Sequence, residues 1–266
     1  MWLPADICLR RPPAQRDFAP PFPLSIGSAA GQSRDAAALH GLLELIERDA
    51  ASLWWRGGQL ARSIPPQHEA GIVAEGLLRQ LRHGASVQRR TWLLDITTDI
   101  GVPCVAAVSC RADGPGFAFG LAARPALEAA VRSATLEMCQ LELADAVVAT
   151  KRSERGDDAL NAQDRTHLQR AAINADQCRL LQPVAEYAAH LPLRATEASA
   201  IFGLIVQRLE KLGIETFCLD LMRQRFAVPV VRVIAPGLSH PKSSRPGCRI
   251  RLREPEAAQP IPGVSL

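Results

Sequence analysis

The sequence predicts a mixed α/β protein of the α+β kind, with helices packed on mixed or antiparallel sheets. Three observations carry that expectation. A long amphipathic helix pattern runs from Ser33 to Trp55. Two strand patterns, residues 90–96 and 102–110, are joined by a turn around Asp99-Ile100-Gly101, too short for a parallel crossover. The unit then recurs: Leu94-Asp95-Ile96 before Val102-Pro103-Cys104-Val105 is echoed by Leu219-Asp220-Leu221 before Val228-Pro229-Val230-Val231, and each copy follows a helix pattern. Such turns exclude a doubly wound parallel sheet, and the echo favours one integrated domain.

In order, residues 1–24 are rich in proline and arginine and read as an extended arm. Ser25–Gln32 is a small-residue loop feeding a helix that Ser33 can cap. Leu39, Leu42, Leu43, Ile46, Ala50, Leu53 and Trp54 form its apolar stripe, and Gly57-Gly58 ends it. Residues 67–83 predict a second helix, and a third short strand spans 117–121. Pro125 suits the first turn of a long helix reaching about Thr150. The charged stretch 151–165 reads as a loop and is followed by a short helix at 164–172. A less structured stretch, 173–194, precedes a helix at 196–212 that Gly213 stops. Strands at 215–221 and 228–234 close the pattern, and 241–266 is a proline-rich tail.

Composition bounds the function. A net charge of +4 spread over 266 residues does not suggest nucleic acid. No apolar run is long enough for a bilayer span and the N-terminus lacks a hydrophobic signal region, so the expectation is a cytoplasmic protein without membrane attachment. The seven cysteines are scattered with no CxxC pair, against a disulfide framework or structural zinc; Cys104, Cys139 and Cys218 lie in apolar runs and read as core. Walker A, GxGxxG and HExxH patterns are absent.

Chemistry concentrates on the first helix. His40, Glu44, Glu47 and Arg48 share its polar face, where the bland reading is a solvated surface with a Glu44–Arg48 pair. The small-residue loop at the helix start offers converging N–H groups to an anion. Two carboxylates a turn further on suit Mg²⁺, which favours carboxylate plus phosphate oxygens. Loop, carboxylates and arginine together could hold a magnesium nucleotide. On the long helix Ser133, Glu137 and Gln140 share a second polar edge, which taken alone reads as solvated.

These residues resemble the YcaO family. The resemblance rests on Ala29-Ala30-Gly31-Gln32, Glu44-x-x-Glu47-Arg48-Asp49-Ala50 and Trp54-Trp55, then on Asp95 with Gly101-Val102-Pro103, on Glu137-x-x-Gln140, and on Val228 through Leu238. It covers residues 25–240, which reads as a partial YcaO domain between arm and tail. The resemblance implies an ATP- and Mg²⁺-dependent enzyme that activates a backbone amide of a ribosomally made precursor peptide. The product would be an azoline by cyclodehydration or, with sulfide and often a TfuA-type partner, a thioamide. It also implies roles: Glu44 and Glu47 on Mg²⁺, Arg48 on phosphate, Gln32 on the nucleotide, and Glu137 and Gln140 at the ATP site. No catalytic residue is assigned.

The sequence departs from the family pattern in three places. A full domain carries an earlier SGKG motif with its own ExxER helix, and none precedes residue 25, so the chain reads as truncated at the N-terminus and in need of a chain supplying that motif. Ala36 stands where an acidic residue is usual, and Ile26 where Asn is usual. The alternative expectation is a degenerate segment that binds peptide or partner without catalysis. Homo-oligomerisation stays open.

Overall fold

The structure is a computed structural model describing residues 25–82, 88–190, 193–239 and 249. The expected arm (1–24) and, Arg249 aside, the expected tail (241–266) lie outside the described residues. In chain order the elements are β1 (Ser28–Ala30), α1 (Arg34–Trp55), β2 (Arg62–Ile64), α2 (Glu69–Leu81), β3 (Arg89–Asp95), β4 (Cys104–Arg111), β5 (Ala118–Ala123), α3 (Leu127–Arg155), α4 (Ala162–Ala171), β6 (Ala185–Glu186), α5 (Ala198–Lys211), β7 (Phe217–Asp220) and β8 (Val230–Ile234), with short 3₁₀ turns between.

The strands form two sheets, in the orders β5-β4-β3-β2-β6 and β1-β8-β7. All pairs are antiparallel except β2–β6, so the class is the mixed α+β one the turns predict. Both copies of the echoed unit are antiparallel pairs, β3–β4 and β7–β8, one in each sheet.

Alternation along β4 sets the layers. Val105 and Ala107 face α2 and α3, meeting Ala70, Ala74, Ala130 and Met138. Cys104, Ala106 and Val108 face the opposite way, into the larger core built around α1, α5 and the inner residues Val231 and Val233 of β8. α1 is therefore sandwiched between the sheets. Ser33 caps it as expected, its Oγ accepting the Ala36 N–H at 3.1 Å. Its last turns are buried all round: Ala50, Ala51, Leu53, Trp54 and Trp55 are at most 2% exposed. A helix of that kind belongs to an interior.

Gly120 decides how closely α3 lies on the larger sheet. A Cβ there would sit 2.0 Å from Ala134 O and 2.4 Å from Met138 N, both helix backbone atoms that cannot step aside. Gly120→Ala is expected to cost about 3 kcal/mol, the upper end of ordinary overpacking, read as a lower urea midpoint at unchanged slope.

The structure differs from expectation where local pattern was weak or misleading. Ser28–Ala30 is a strand paired with β8 where a loop was expected, since three small residues carry no alternation. The two-to-three-residue strands β2 and β6 fall below what periodicity can detect. α3 runs on through residues 151–155, expected as loop, because those charges sit on a solvent-facing helix with outside partners. Lys151 reaches Asp164 at 2.6 Å and Arg152 reaches Asp157 at 2.6 Å, before Gly156 at φ 77° ends the helix. Of the cysteines read as core, Cys104 is buried, Cys139 is half-buried and Cys218 is exposed. Cys218 lies on β7, an outer strand of the smaller sheet, so its apolar neighbours in sequence give it no cover.

Candidate functional site

The site grows from the junction of β1, α1 and β8. Gly27 adopts φ 78°, and a Cβ there would sit 2.2 Å from Val233 O. Gly41 of α1 closes on it from the other side, since its Cβ would lie 2.6 Å from Gly27 O. Only glycines allow this approach. With Val233 N–H donating to Gly27 O at 2.7 Å, the Gly27 N–H is aimed at α1, where Glu44 Oε2 accepts it at 3.0 Å. The loop thus holds Glu44 through its backbone.

Glu47 lies one turn on. It is 9% exposed, so the face read as solvated is closed over at this point. Burial raises its pKa from 4.5 to about 7; Glu137 and Glu44 push it further up, while Arg48 and Arg124 oppose them. Glu47 Oε1 is 3.4 Å from Arg48 Nη2. Glu137 arrives from α3, with its Oε2 accepting the Leu121 N–H of the edge strand β5 at 2.9 Å. The structure thus gathers Glu44, Glu47 and Glu137, with Arg48 and Arg124, at one end of the larger sheet.

The other expected residues lie around this centre. Gln32 is exposed and lines an open recess at the start of α1 with Ala30, Gly31, Ala36 and His40. Arg48 also lines a recess between α1 and β8, with Ile26, Arg232, Pro236 and Ser239. Gln140 lines a separate groove between α3 and α4, beside Asn161 and His167. It is not brought to the carboxylates by any described contact.

Three charged residues were given no role in the sequence reading. Arg124 sits at the β5–α3 junction, its Nη1 donating to Ala123 O at 2.8 Å. Arg232 and Asp49 are 1% and 0% exposed. A signal existed for both: Arg232 interrupts the apolar strand Val-Val-Arg-Val-Ile, and Asp49 falls on the apolar stripe between Ile46 and Leu53.

These residues can be tested against a magnesium nucleotide. Among the described residues no group of three or more His, Cys, Asp or Glu side chains encloses a metal ion. Magnesium does not require a protein cage, because it keeps water and phosphate oxygens and takes one or two carboxylates. A nearly buried carboxylate, its pKa raised chiefly by burial and further by Glu137 and Glu44, is a donor that a divalent cation would ionise. The residues fit.

A stability prediction follows for the ligand-free chain. Folded Glu47 keeps a proton up to about pH 7 that the unfolded chain loses near 4.5. Between those values the folded state binds more protons, so stability falls as pH rises across the window, by up to about 3 kcal/mol. Thermal melts from pH 4.5 to 7.5 should show the decline, and Glu47→Gln should flatten its upper part above about pH 6, since Asp49 and Asp145, each raised to about 6, add to it below that pH.

Fold and site together define a mixed α+β protein with one buried carboxylate, Glu47, near Glu44 and Glu137 beside a glycine-held loop. The chain belongs to the YcaO cyclodehydratase family, described as ATP- and Mg²⁺-binding, whose family model matches residues 1–239. An uncharacterized protein of Methanothermobacter thermautotrophicus is 30% identical over 222 residues, covering 80% of this chain and 55% of the relative. An uncharacterized protein in the tfuA 3′ region of Rhizobium leguminosarum bv. trifolii is 30% identical over 232 residues, with 80% and 52% covered. The chain thus spans about half the length of these curated relatives. Among solved structures, a heterocyclase in complex with substrate and cofactor matches with TM-score 0.68 at 25% identity, covering 85% of this chain and 30% of that one. YcaO from Methanopyrus kandleri bound with AMPPCP and Mg²⁺ matches with TM-score 0.56 at 23% identity, covering 89% and 60%, a likeness of fold.

Proposed function

We propose that this chain provides one half of a magnesium–ATP site that activates a backbone amide in a ribosomally made peptide. The observation that carries this reading is Glu47: a buried carboxylate, pushed to about 7, facing Glu44 and Glu137 beside two arginines. Such an arrangement is costly to the fold and suits a cation that arrives with its ligand. Glu44 and Glu47 hold magnesium, Arg48 meets phosphate and Gln32 meets the nucleotide. Glu137 stands next to them and Gln140 lies further along α3.

The bound nucleotide supplies the phosphoryl group that lets the amide oxygen depart as phosphate. The protein's share is to position the phosphates and exclude water. A Cys, Ser or Thr side chain of the peptide attacking the amide carbon gives an azoline; sulfide gives a thioamide. The relative from a tfuA region supports a TfuA-type partner and the thioamide outcome. The absence of a helix long and apolar enough to cross a membrane among the described residues supports a cytoplasmic setting.

The site works with a second acidic set of the SGKG and ExxER kind, on the same polypeptide or another. The test is ADP release from ATP with that segment present and Glu44→Gln as control. Turnover that is unchanged in Glu44→Gln would contradict the assignment. A second reading, a binding module without ATP use, is favoured by Ala36. It lines the recess at the α1 start beside Gln32 and puts a methyl group where the family usually has a carboxylate.

A further inference from the structure

Asp49 is fully buried, two residues beyond Glu47 on α1. One of its oxygens accepts a hydrogen bond and the other stands in an ion pair, both with residues late in the chain. The Ser239 N–H donates to Oδ1 at 2.8 Å, and Arg249 Nε lies 3.1 Å from Oδ2. The Arg249 side chain is 11% exposed and also pairs with Asp99, in the turn after β3. Arg208 of α5 grips the same turn, donating to Ile100 O at 3.2 Å and Gly101 O at 2.9 Å. One guanidinium thus ties α1, the β3–β4 turn and the C-terminal segment together.

We propose that Arg249 is a positioning residue for the α1 site: by pairing with Asp49 it fixes the rotation of α1, and so the aim of Glu44, Glu47 and Arg48 at a magnesium nucleotide. This rests on the function proposed above. A helix turns as a unit, and neighbouring residues are about 100° apart around it. Without Arg249 the buried carboxylate loses its counter-ion, a situation proteins relieve by protonation or by exposing the group. Rotation of Asp49 toward water carries Glu47 and Arg48 away from Glu137 and Arg124.

The test compares wild type with Arg249→Ala, Arg249→Lys and the double variant Asp49→Asn with Arg249→Ala. Two readings are taken: calorimetric affinity for Mg·ATP, and hydrogen exchange of the α1 amides 44–52. Arg249→Ala is expected to weaken Mg·ATP about tenfold or more and to speed α1 exchange to a similar degree, leaving the ladder-bonded amides of strands β3 and β4 unchanged. Arg249→Lys restores part of the affinity. The double variant, with no buried charge left, returns both readings toward wild type. Affinity within twofold of wild type in Arg249→Ala, alongside a lowered melting temperature, makes the pair a structural tie alone and overturns the proposal. Unchanged α1 exchange overturns it as well. If the wild type binds no Mg·ATP, the nucleotide reading falls, and the positioning claim, which has no nucleotide to aim at, falls with it. Faster α1 exchange in Arg249→Ala would then establish the tie between Asp49 and Arg249 alone.

Discussion

Glu47→Gln is expected to lower ATP turnover by about a hundredfold or more, the scale for removing one charge-stabilising group from a transition state, while the melting temperature at pH 7.5 stays at or above that of the wild type. The two halves of this result come from one cause. Glu47 is 9% exposed and resists ionisation, so its charge costs folding energy that an amide does not. A residue kept against stability is a mark of function, and exchanging it trades activity for stability. Glu44→Gln should behave differently. Glu44 accepts the Gly27 N–H at 3.0 Å, a charge-assisted bond that a Gln amide oxygen makes more weakly, so its replacement also loosens the loop and should lower the melting temperature. Steady-state ADP release and thermal melts of the two variants, side by side, separate metal binding from loop support. Equal melting shifts would contradict the distinction drawn between them.

Trp54→Ala is expected to cost about 3–5 kcal/mol, the range for deleting a fully buried aromatic side chain, with loss of the folded state as its extreme. Trp54 is 0% exposed and meets Trp55 edge-on at 5.4 Å between ring centroids. Trp55 in turn stacks on Phe117 at 6.2 Å. The Trp54 indole N–H donates to Leu180 O at 2.9 Å, pinning a segment with little regular structure. Removing it leaves a large cavity and an unsatisfied carbonyl together. Trp54→Phe fills most of the volume and gives up the hydrogen bond, so its cost relative to wild type estimates the bond at about 1–2 kcal/mol, and the difference between the two variants reports the packing. Urea unfolding of wild type and both variants measures it.

What the sequence revealed follows from which signals are local. The α1 stripe, its Ser33 cap and the two strand–turn–strand units were legible because helix and strand periods repeat over enough residues to stand out. β1, β2 and β6 were not, because their ladder partners lie far away in the chain and so few residues show no alternation. At the site, Glu44 and Glu47 were legible from their spacing and the family resemblance. Their environment was not: an amphipathic pattern puts Glu47 on a solvated face, whereas the structure buries it with Glu137 and Arg124 nearby. Charge burial is a tertiary property. Asp49 shows the limit best, since its partners Ser239 and Arg249 lie about 190 and 200 residues on, Arg249 within the stretch that reads as a proline-rich tail.

The central claim is that the α1 carboxylates hold a magnesium nucleotide. Calorimetry at pH 7.5 with ATP, in the presence and absence of magnesium, tests it most directly. Binding in the micromolar range is expected with magnesium, weakened about tenfold or more when magnesium is withdrawn or when Glu44 and Glu47 are both changed to Gln. Binding that is the same with and without magnesium, or unchanged in the double variant, would contradict it.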